Sequence, residues 1–179
     1  DWSSDVSSSD LSTLVRTLLG LLPPLRGRVH QGPHASFAYL SQKDSLPADL
    51  PMRVDRWVAS GLEAGCSFLR RPWGWSKETR ARVAAALELV GLSEARSAVY
   101  RELSEGQKQR ARLAQALVGE ASLTFLDEPT SAMDAPPEQQ MLQALKSIAL
   151  REGRTFVVIS HQPSVLEHFA THAIDRKST

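Results

Sequence analysis

At 179 residues, with 42% apolar and 23% charged side chains, the chain is long enough for one domain with a packed core and too short for two of ordinary size. Twenty-one basic residues against 20 acidic ones leave a formal charge of +1, which excludes the broad basic field of a nucleic-acid binder and the charge-rich composition of a disordered chain. A single cysteine, Cys66, excludes an internal disulfide, a zinc ribbon and an iron–sulfur cluster, and no apolar run approaches the roughly 18–20 residues of a membrane-spanning helix. The expectation is a soluble protein of a reducing compartment, linked to any membrane only through a partner. The serine-rich, acidic stretch from Asp1 to Asp10 lacks the basic start and apolar run of a leader peptide. Both ends read as cut.

In chain order, Ser12 to Leu22 predicts a helix, with Leu14, Val15, Leu18, Leu19 and Leu22 at helical spacing. Pro23-Pro24 is expected to stop it. Gly27 to His30 and Ser36 to Leu40 read as short strands around a Gly32-Pro33 turn. Val54 to Leu62 reads as helix and Gly65 to Trp75 as loop. Lys77 to Val90 is a helix with Val83, Ala84, Leu87 and Val90 on one face, and Gly91 is its C-terminal stop. Gln107 to Val118 is another helix, ended by Gly119.

The later part alternates. The apolar run Leu123 to Leu126 stops at Asp127-Glu128-Pro129. A helix follows from Pro137 to Leu150, with Met141, Leu142, Leu145, Ile148 and Ala149 on one stripe. Thr155 to Ile159 is then a β-branched run ending in Ser160-His161. Continuous apolar strands separated by amphipathic helices indicate an α/β fold whose parallel strands are buried on both faces. Ligands of such sheets sit beyond the carboxyl ends of the strands, where Asp127, Glu128 and His161 fall.

Two segments carry chemistry. Asp127 and Glu128 follow a buried strand directly, a placement in which the first carboxylate can hold magnesium and the second can orient water toward a phosphate. A helix N-cap cluster is the plain alternative. In Leu103-Ser-Glu-Gly-Gln-Lys-Gln-Arg110, Ser104 and Gln107 fit a capping box. A helix start of this kind, with Gly106 admitting close approach, suits phosphate. An ordinary capped helix has the same pattern.

Taken together and in order, these motifs resemble the ATP-binding cassette (ABC) ATPases. Ser36-Phe-Ala-Tyr-Leu-Ser-Gln42 is similar to that family's strand and Q-loop glutamine. Leu103 to Gln107 is similar to the signature, with Glu105 in place of the commoner glycine. Leu123 to Glu128 resembles Walker B plus the catalytic glutamate, Ser131-Ala-Met-Asp134 the D-loop, and His161 the switch histidine. The likeness runs from about Asp5 to Ile174. It implies a P-loop NTPase-like, mostly parallel sheet: residues 1–45 and 121–179 form portions of the catalytic core, and 46–120 form an inserted helical subdomain carrying the signature.

By the same resemblance, Gln42 contacts magnesium and the attacking water and senses the membrane partner. Asp127 and Ser12 hold Mg2+, Glu128 acts on the water, and His161 touches the γ-phosphate. Thr13 lies beside the nucleotide. Ser104, Gly106 and Gln107 serve ATP held by the second subunit of a head-to-tail homodimer, and Asp134 couples the two sites. The implied partners are a membrane permease and, indirectly, a substrate-binding protein, with no nucleic acid. The implied location is the inner face of the plasma membrane, on the cytoplasmic side. Leu46-Pro-Ala-Asp-Leu-Pro-Met-Arg-Val54, Trp57-Val-Ala-Ser-Gly61, the Leu18 to Pro24 run and the Lys77 to Gly91 helix resemble importers of zinc, manganese and chelated iron.

The phosphate loop departs from this pattern. Where a working loop reads G-x-x-x-x-G-K-[ST], with lysine on the phosphates, this chain reads Asp5-Val-Ser-Ser-Ser-Asp-Leu-Ser12. Aspartates stand at the glycine positions and Leu11 at the lysine position. A carboxylate about 4 Å from one unit of phosphate charge costs roughly 4 kcal/mol at an effective dielectric near 20. Weak ATP binding and slow or absent hydrolysis by the chain as written are therefore expected. The alternative function is a non-hydrolysing cassette that serves only as an interaction or regulatory subunit. A soluble ABC protein acting on ribosomes or DNA is a third reading, but it calls for paired cassettes or a basic stripe, neither of which is seen.

The remaining candidates read as ordinary structure. The pairs His30/His34 and His168/His172 are solvent-facing rather than metal-binding. Cys66 is a buried or loop thiol. Trp57, Trp73 and Trp75 line the helical subdomain rather than form a base-stacking platform. Arg70-Arg71 and the Lys108, Arg110 and Arg112 set are solvated faces.

Overall fold

The computed structural model describes residues 8–32, 36–41, 51–62, 75–131, 133 and 135–160. Strands β1 (Phe37–Leu40), β2 (Leu123–Asp127) and β3 (Thr155–Ile159) lie side by side in that order, all parallel. The register sets Phe125 between Tyr39 and Val157. The central β2 is buried from Thr124 to Asp127, as its unbroken apolar run requires. Among the described residues β3 is an edge strand, with Val157 38% exposed. The expectation of burial on both faces therefore holds for β2 and fails for β3. Ser36 and Ser122 fasten the entry to the sheet: the Ser122 amide donates to Ser36 Oγ at 2.9 Å and its hydroxyl to the Ser36 carbonyl at 3.0 Å. These bonds hold the start of β1 against the start of β2, across 86 residues of sequence.

Helix α1 (Ser8–Leu18) starts and ends earlier than its apolar spacing suggests. Its stop is Gly20, at φ +73°, not the Pro23-Pro24 pair. The Leu21 amide donates to the Arg16 carbonyl at 2.9 Å and the Gly20 amide to that of Thr17 at 3.1 Å. That is the paired bonding of a glycine-terminated helix end, which leaves the prolines nothing to stop. The strand expected at Gly27 to His30 does not form. Gly27 sits at φ +85°, outside the extended region, and β1 pairs with β2 rather than with the chain before it.

Three helices pack beside the sheet: α2 (Val54–Ala59), continued by a tight turn over Ser60–Leu62; α3 (Lys77–Leu89); and α4 (Glu105–Val118). Ser76 caps α3 by accepting the Thr79 amide at 3.0 Å, and Gly91 at φ +65° closes it. Its buried face is Val83, Ala86, Leu87 and Val90. Ala84, expected on that face, is exposed, because a step of one residue turns about 100° around the axis, away from the i, i+3, i+4, i+7 stripe. Trp57 is 3% exposed and stacks on Tyr100, with ring centroids 3.8 Å apart. It is core rather than a platform for bases.

One apolar core runs from Val54 and Val58 of α2 through Leu113 and Leu117 of α4 to Leu126 of β2, then to Met141, Leu142 and Leu145 of α5 (Ala135–Glu152). Buried Arg154 ties the base of β3 to this core by donating to the Ala121 carbonyl at 3.0 Å and to that of Leu117 at 3.4 Å. Among the described residues no helix is long and apolar enough to cross a membrane.

The α2–α4 approach depends on Gly61. A Cβ there would run into the Gln115 carbonyl oxygen, and one at Gly119 would come within 2.8 Å of the Gly61 carbonyl. Gly61→Ala is therefore expected to force the helices apart and destabilise the fold by about 1–3 kcal/mol, as overpacking does. At roughly 2–4 °C per kcal/mol for a chain of this size, the melting temperature falls by several degrees. An unchanged transition in thermal denaturation contradicts this packing.

Candidate functional site

The buried tip of β2 gathers the polar groups that the rest of the core excludes. Asp127, the last residue of β2, is 3% exposed. Its Oδ2 accepts the Ser12 hydroxyl at 2.6 Å and the Tyr39 hydroxyl at 3.4 Å. Three elements far apart in sequence thus meet at one oxygen: α1 through Ser12, β1 through Tyr39 and β2 through Asp127. Arg16 lies one turn beyond Ser12 on the same face of α1, near enough for its charge to act on the Tyr39 hydroxyl. Burial lifts the Tyr39 hydroxyl above its usual range and the Asp127 charge adds to that, while Arg16 pulls the other way. Tyr39 therefore stays a neutral donor at physiological pH. Thr13 is exposed beside Ser12, and Leu11, at the lysine position, is 36% exposed.

Glu128 follows at φ +50°, a left-handed conformation that costs a side-chain-bearing residue about 1–3 kcal/mol. Both sides of its backbone are held. Its amide donates to the Ile159 carbonyl at 2.9 Å, extending the β2–β3 pairing by one residue. Its carbonyl accepts from Gln109 Nε2 at 2.9 Å, from Ser131 Oγ at 3.2 Å and from the Ser131 amide at 3.4 Å. The Asp127-Glu128 pair is thus a strand end turning into a bonded loop, not a helix N-cap.

The N-terminus of α4 is presented outward. Ser104 and Glu105 are exposed, and Gly106 and Gln107 are half-buried. The capping box forms as expected: Ser104 Oγ accepts the Gln107 amide at 3.2 Å, and Gln107 Oε1 accepts the Ser104 amide at 2.9 Å. Because Ser104 is the N-cap, the helix begins at Glu105, two residues before the expected start at Gln107. A hydrogen bond from Lys108, 2.8 Å away, and its charge hold the Glu105 carboxyl below the usual range. This end therefore carries a neutralised ion pair where glycine is commoner.

Of the residues singled out from sequence, the structure brings Ser12 and Asp127 into contact and sets Glu128 beside them. Ser104, Gly106 and Gln107 form a separate, outward-facing group. Gln42, Asp134 and His161 lie outside the described residues, as do His34, Cys66, Arg70, Arg71, Trp73, His168 and His172. Trp75 is half-buried beneath the Arg56 guanidinium, 4.8 Å from its ring centre. Lys108, Arg110 and Arg112 are each half-buried, not a solvated face. Arg110 donates to the carbonyls of Val90 at 3.3 Å and Gly91 at 3.4 Å, a cation at the C-terminus of α3.

Sequence reasoning passed over Arg16, the Tyr39 hydroxyl and Gln109. Gln109 left a trace: with Leu113, Ala116 and Leu117 it falls at i, i+4, i+7 and i+8, so a polar residue sits on an apolar stripe. Hydroxyl and carboxylate oxygens are the hard donors magnesium prefers, and the Ser12–Asp127 pair fits such an ion. No cluster of three or more His, Cys, Asp or Glu able to hold a metal occurs among the described residues.

Comparison with known proteins agrees with this geometry. The ABC transporter family profile matches residues 11–131. The chain is 33% identical over 177 residues to the chelated iron transport system membrane protein YfeB of Yersinia pestis, covering 94% of this chain and 58% of that protein. It is 35% identical to the zinc import ATP-binding protein ZnuC of Cereibacter sphaeroides, covering 89% and 60%. It is also 36% identical to the methionine import ATP-binding protein MetN 1 of Pectobacterium atrosepticum, covering 90% and 49%. The chain thus spans about three fifths or less of these relatives' lengths. A metal-chelate type ABC transporter in an inward-facing conformation superposes at a TM-score of 0.69 with 29% identity, covering 89% of this chain and 62% of that one. A dimeric ATP-binding cassette with ADP and phosphate superposes at 0.75, covering 90% and 74%; its 22% identity speaks to the fold alone. On the matched profile, the parallel sheet and the Ser12–Asp127 contact, the chain belongs to the ABC transporter family.

Proposed function

We propose that this chain is the ATP-handling part of an import ATPase, working as a head-to-tail homodimer on the cytoplasmic side of a membrane permease. The observation that carries the reading is the 2.6 Å contact of Ser12 with Asp127 at the tip of the central strand, with Glu128 next in sequence. Ser12 and Asp127 would hold Mg2+, which when bound supplies charge neutralisation to the β- and γ-phosphate oxygens of the substrate. Tyr39 and Ser12 fix the Asp127 carboxylate. Glu128 takes up a proton from the attacking water and aims it in line with the γ-phosphate. Gln42 and His161 complete this side of the site. Ser104, Gly106 and Gln107 offer hydroxyl and amide donors to the nucleotide held by the other copy, and Asp134 joins the two sites. The relatives ZnuC and MetN 1 are named ATP-binding proteins, which favours ATP handling over the interaction-only alternative.

Zinc, manganese or chelated iron is the proposed cargo. It is supported by the relatives' names, by the metal-chelate type structural neighbour, and by the Leu46–Val54 and Trp57–Gly61 segments. The cargo passes through the permease and leaves this chain's residues to the nucleotide. Liposomes holding the chain with its permease test the reading: labelled zinc, manganese or chelated iron should accumulate when MgATP is supplied. Accumulation of labelled methionine instead, or of neither, overturns the cargo.

A smaller effect follows from Glu105. Removing its charge by Glu105→Ala is expected to strengthen MgATP-dependent dimerisation by a few-fold, because an exposed charge acts through high dielectric. Sedimentation with and without MgATP reads this, and weaker dimerisation contradicts the trans placement of α4.

A further inference from the structure

We propose that Gln109 is a positioning residue: its side-chain amide holds the Glu128 backbone in its left-handed conformation and ties that conformation to the exposed end of α4. The inference rests on the ATP-handling reading for its consequence in turnover, and on geometry for the contact itself. Gln109 is 3% exposed, on a helix face otherwise made of Leu113, Ala116 and Leu117. A buried primary amide on such a face is unfavourable unless it is bonded, and its Nε2 donates at 2.9 Å to the carbonyl of Glu128, 19 residues away. The receiving residue is one of two non-glycine residues with positive φ among those described, the other being Glu120. Strained backbone persists only where its surroundings over-determine it. Here Gln109 holds the Glu128 carbonyl from a helix outside the sheet and outside Glu128's own loop.

The consequence is a mechanical link. Gln109 lies five residues beyond the N-cap Ser104, about 7.5 Å along a rigid helix at 1.5 Å per residue. The same helix that offers its capped end to a nucleotide in the second copy therefore holds the Glu128 carbonyl of its own site. A shift of α4 on engaging phosphate moves Gln109, and with it the peptide from which the Glu128 carboxylate projects. Neither a separate strand nor a loop intervenes.

Hydrogen exchange tests this in the unaltered chain and in Gln109→Met, which keeps the length and loses the donor. In the unaltered chain the Gln109 side-chain NH2 protons should exchange at least tenfold more slowly than those of solvent-facing glutamines. In Gln109→Met the Glu128 and Ser131 amides should exchange at least tenfold faster, while the Leu113 to Leu117 amides stay within twofold. In the Leu11→Lys background, Gln109→Met should lower kcat for ATP by 10- to 100-fold with KM within threefold. Solvent-rate exchange at the Gln109 side chain overturns the proposal without any variant, as does unchanged exchange at Glu128 and Ser131. Equal loss in kcat and KM, or loosening of all of α4, assigns Gln109 a structural role and also overturns it. Absence of turnover in every version counts against the ATP-handling reading, and the exchange data then still decide whether Gln109 holds Glu128.

Discussion

Leu11→Lys is expected to tighten MgATP binding by about 100- to 1000-fold. An ammonium about 4 Å from one unit of phosphate charge contributes roughly 4 kcal/mol at an effective dielectric near 20, less the cost of drying the ammonium. Leu11 is 36% exposed and sits in α1 directly before Ser12, so a lysine there has room and lies beside the proposed magnesium donors. Leucine and lysine have nearly equal helix propensities, so the change leaves stability alone and isolates the charge. Titration calorimetry with MgATP measures it. An improvement below threefold places the phosphates away from the start of α1 and removes the basis for the P-loop correspondence.

In the Leu11→Lys background, Glu128→Gln is expected to abolish measurable turnover while preserving binding. Loss of a positioned general base typically costs 10²–10⁴-fold in rate, whereas amide for carboxylate is nearly isosteric and leaves the held backbone untouched. MgATP affinity in the Leu11→Lys background should remain within about threefold. With hydrolysis blocked, the closed two-copy state should accumulate in sedimentation when MgATP is present. Turnover within tenfold of the parent would remove Glu128 from the chemistry, and parallel loss of binding would make its role structural.

Much of this arrangement is legible along the chain because its cues are local. Thr155 to Ile159 forms the expected strand because a β-branched run has no competing reading. Ser104 and Gln107 form the expected box because both partners lie within one helical turn. Asp127 and Glu128 land at the strand tip because the apolar run before them ends there. Features that depend on distant partners are another matter. Gly27 to His30 has strand-like composition, but a strand exists only where a neighbour pairs with it, and β1 takes β2. At the end of α1, a glycine and two prolines all signal a stop, and the glycine comes first in the chain. Arg110 looks like a solvated cation until the C-terminus of α3 is packed against it. Tyr39 reaches Asp127 across 88 residues of sequence and Ser12 reaches it across 115, separations at which residue spacing carries no signal.

The most direct measurement is anomalous diffraction from crystals of the Leu11→Lys, Glu128→Gln chain grown with MnATP. The manganese peak should lie at about 2.1 Å from Ser12 Oγ and beside the Asp127 carboxylate, with the γ-phosphate facing Ser104 to Gln107 of a second copy. A peak remote from Ser12 and Asp127, or a loaded nucleotide with no second α4 against it, contradicts the account.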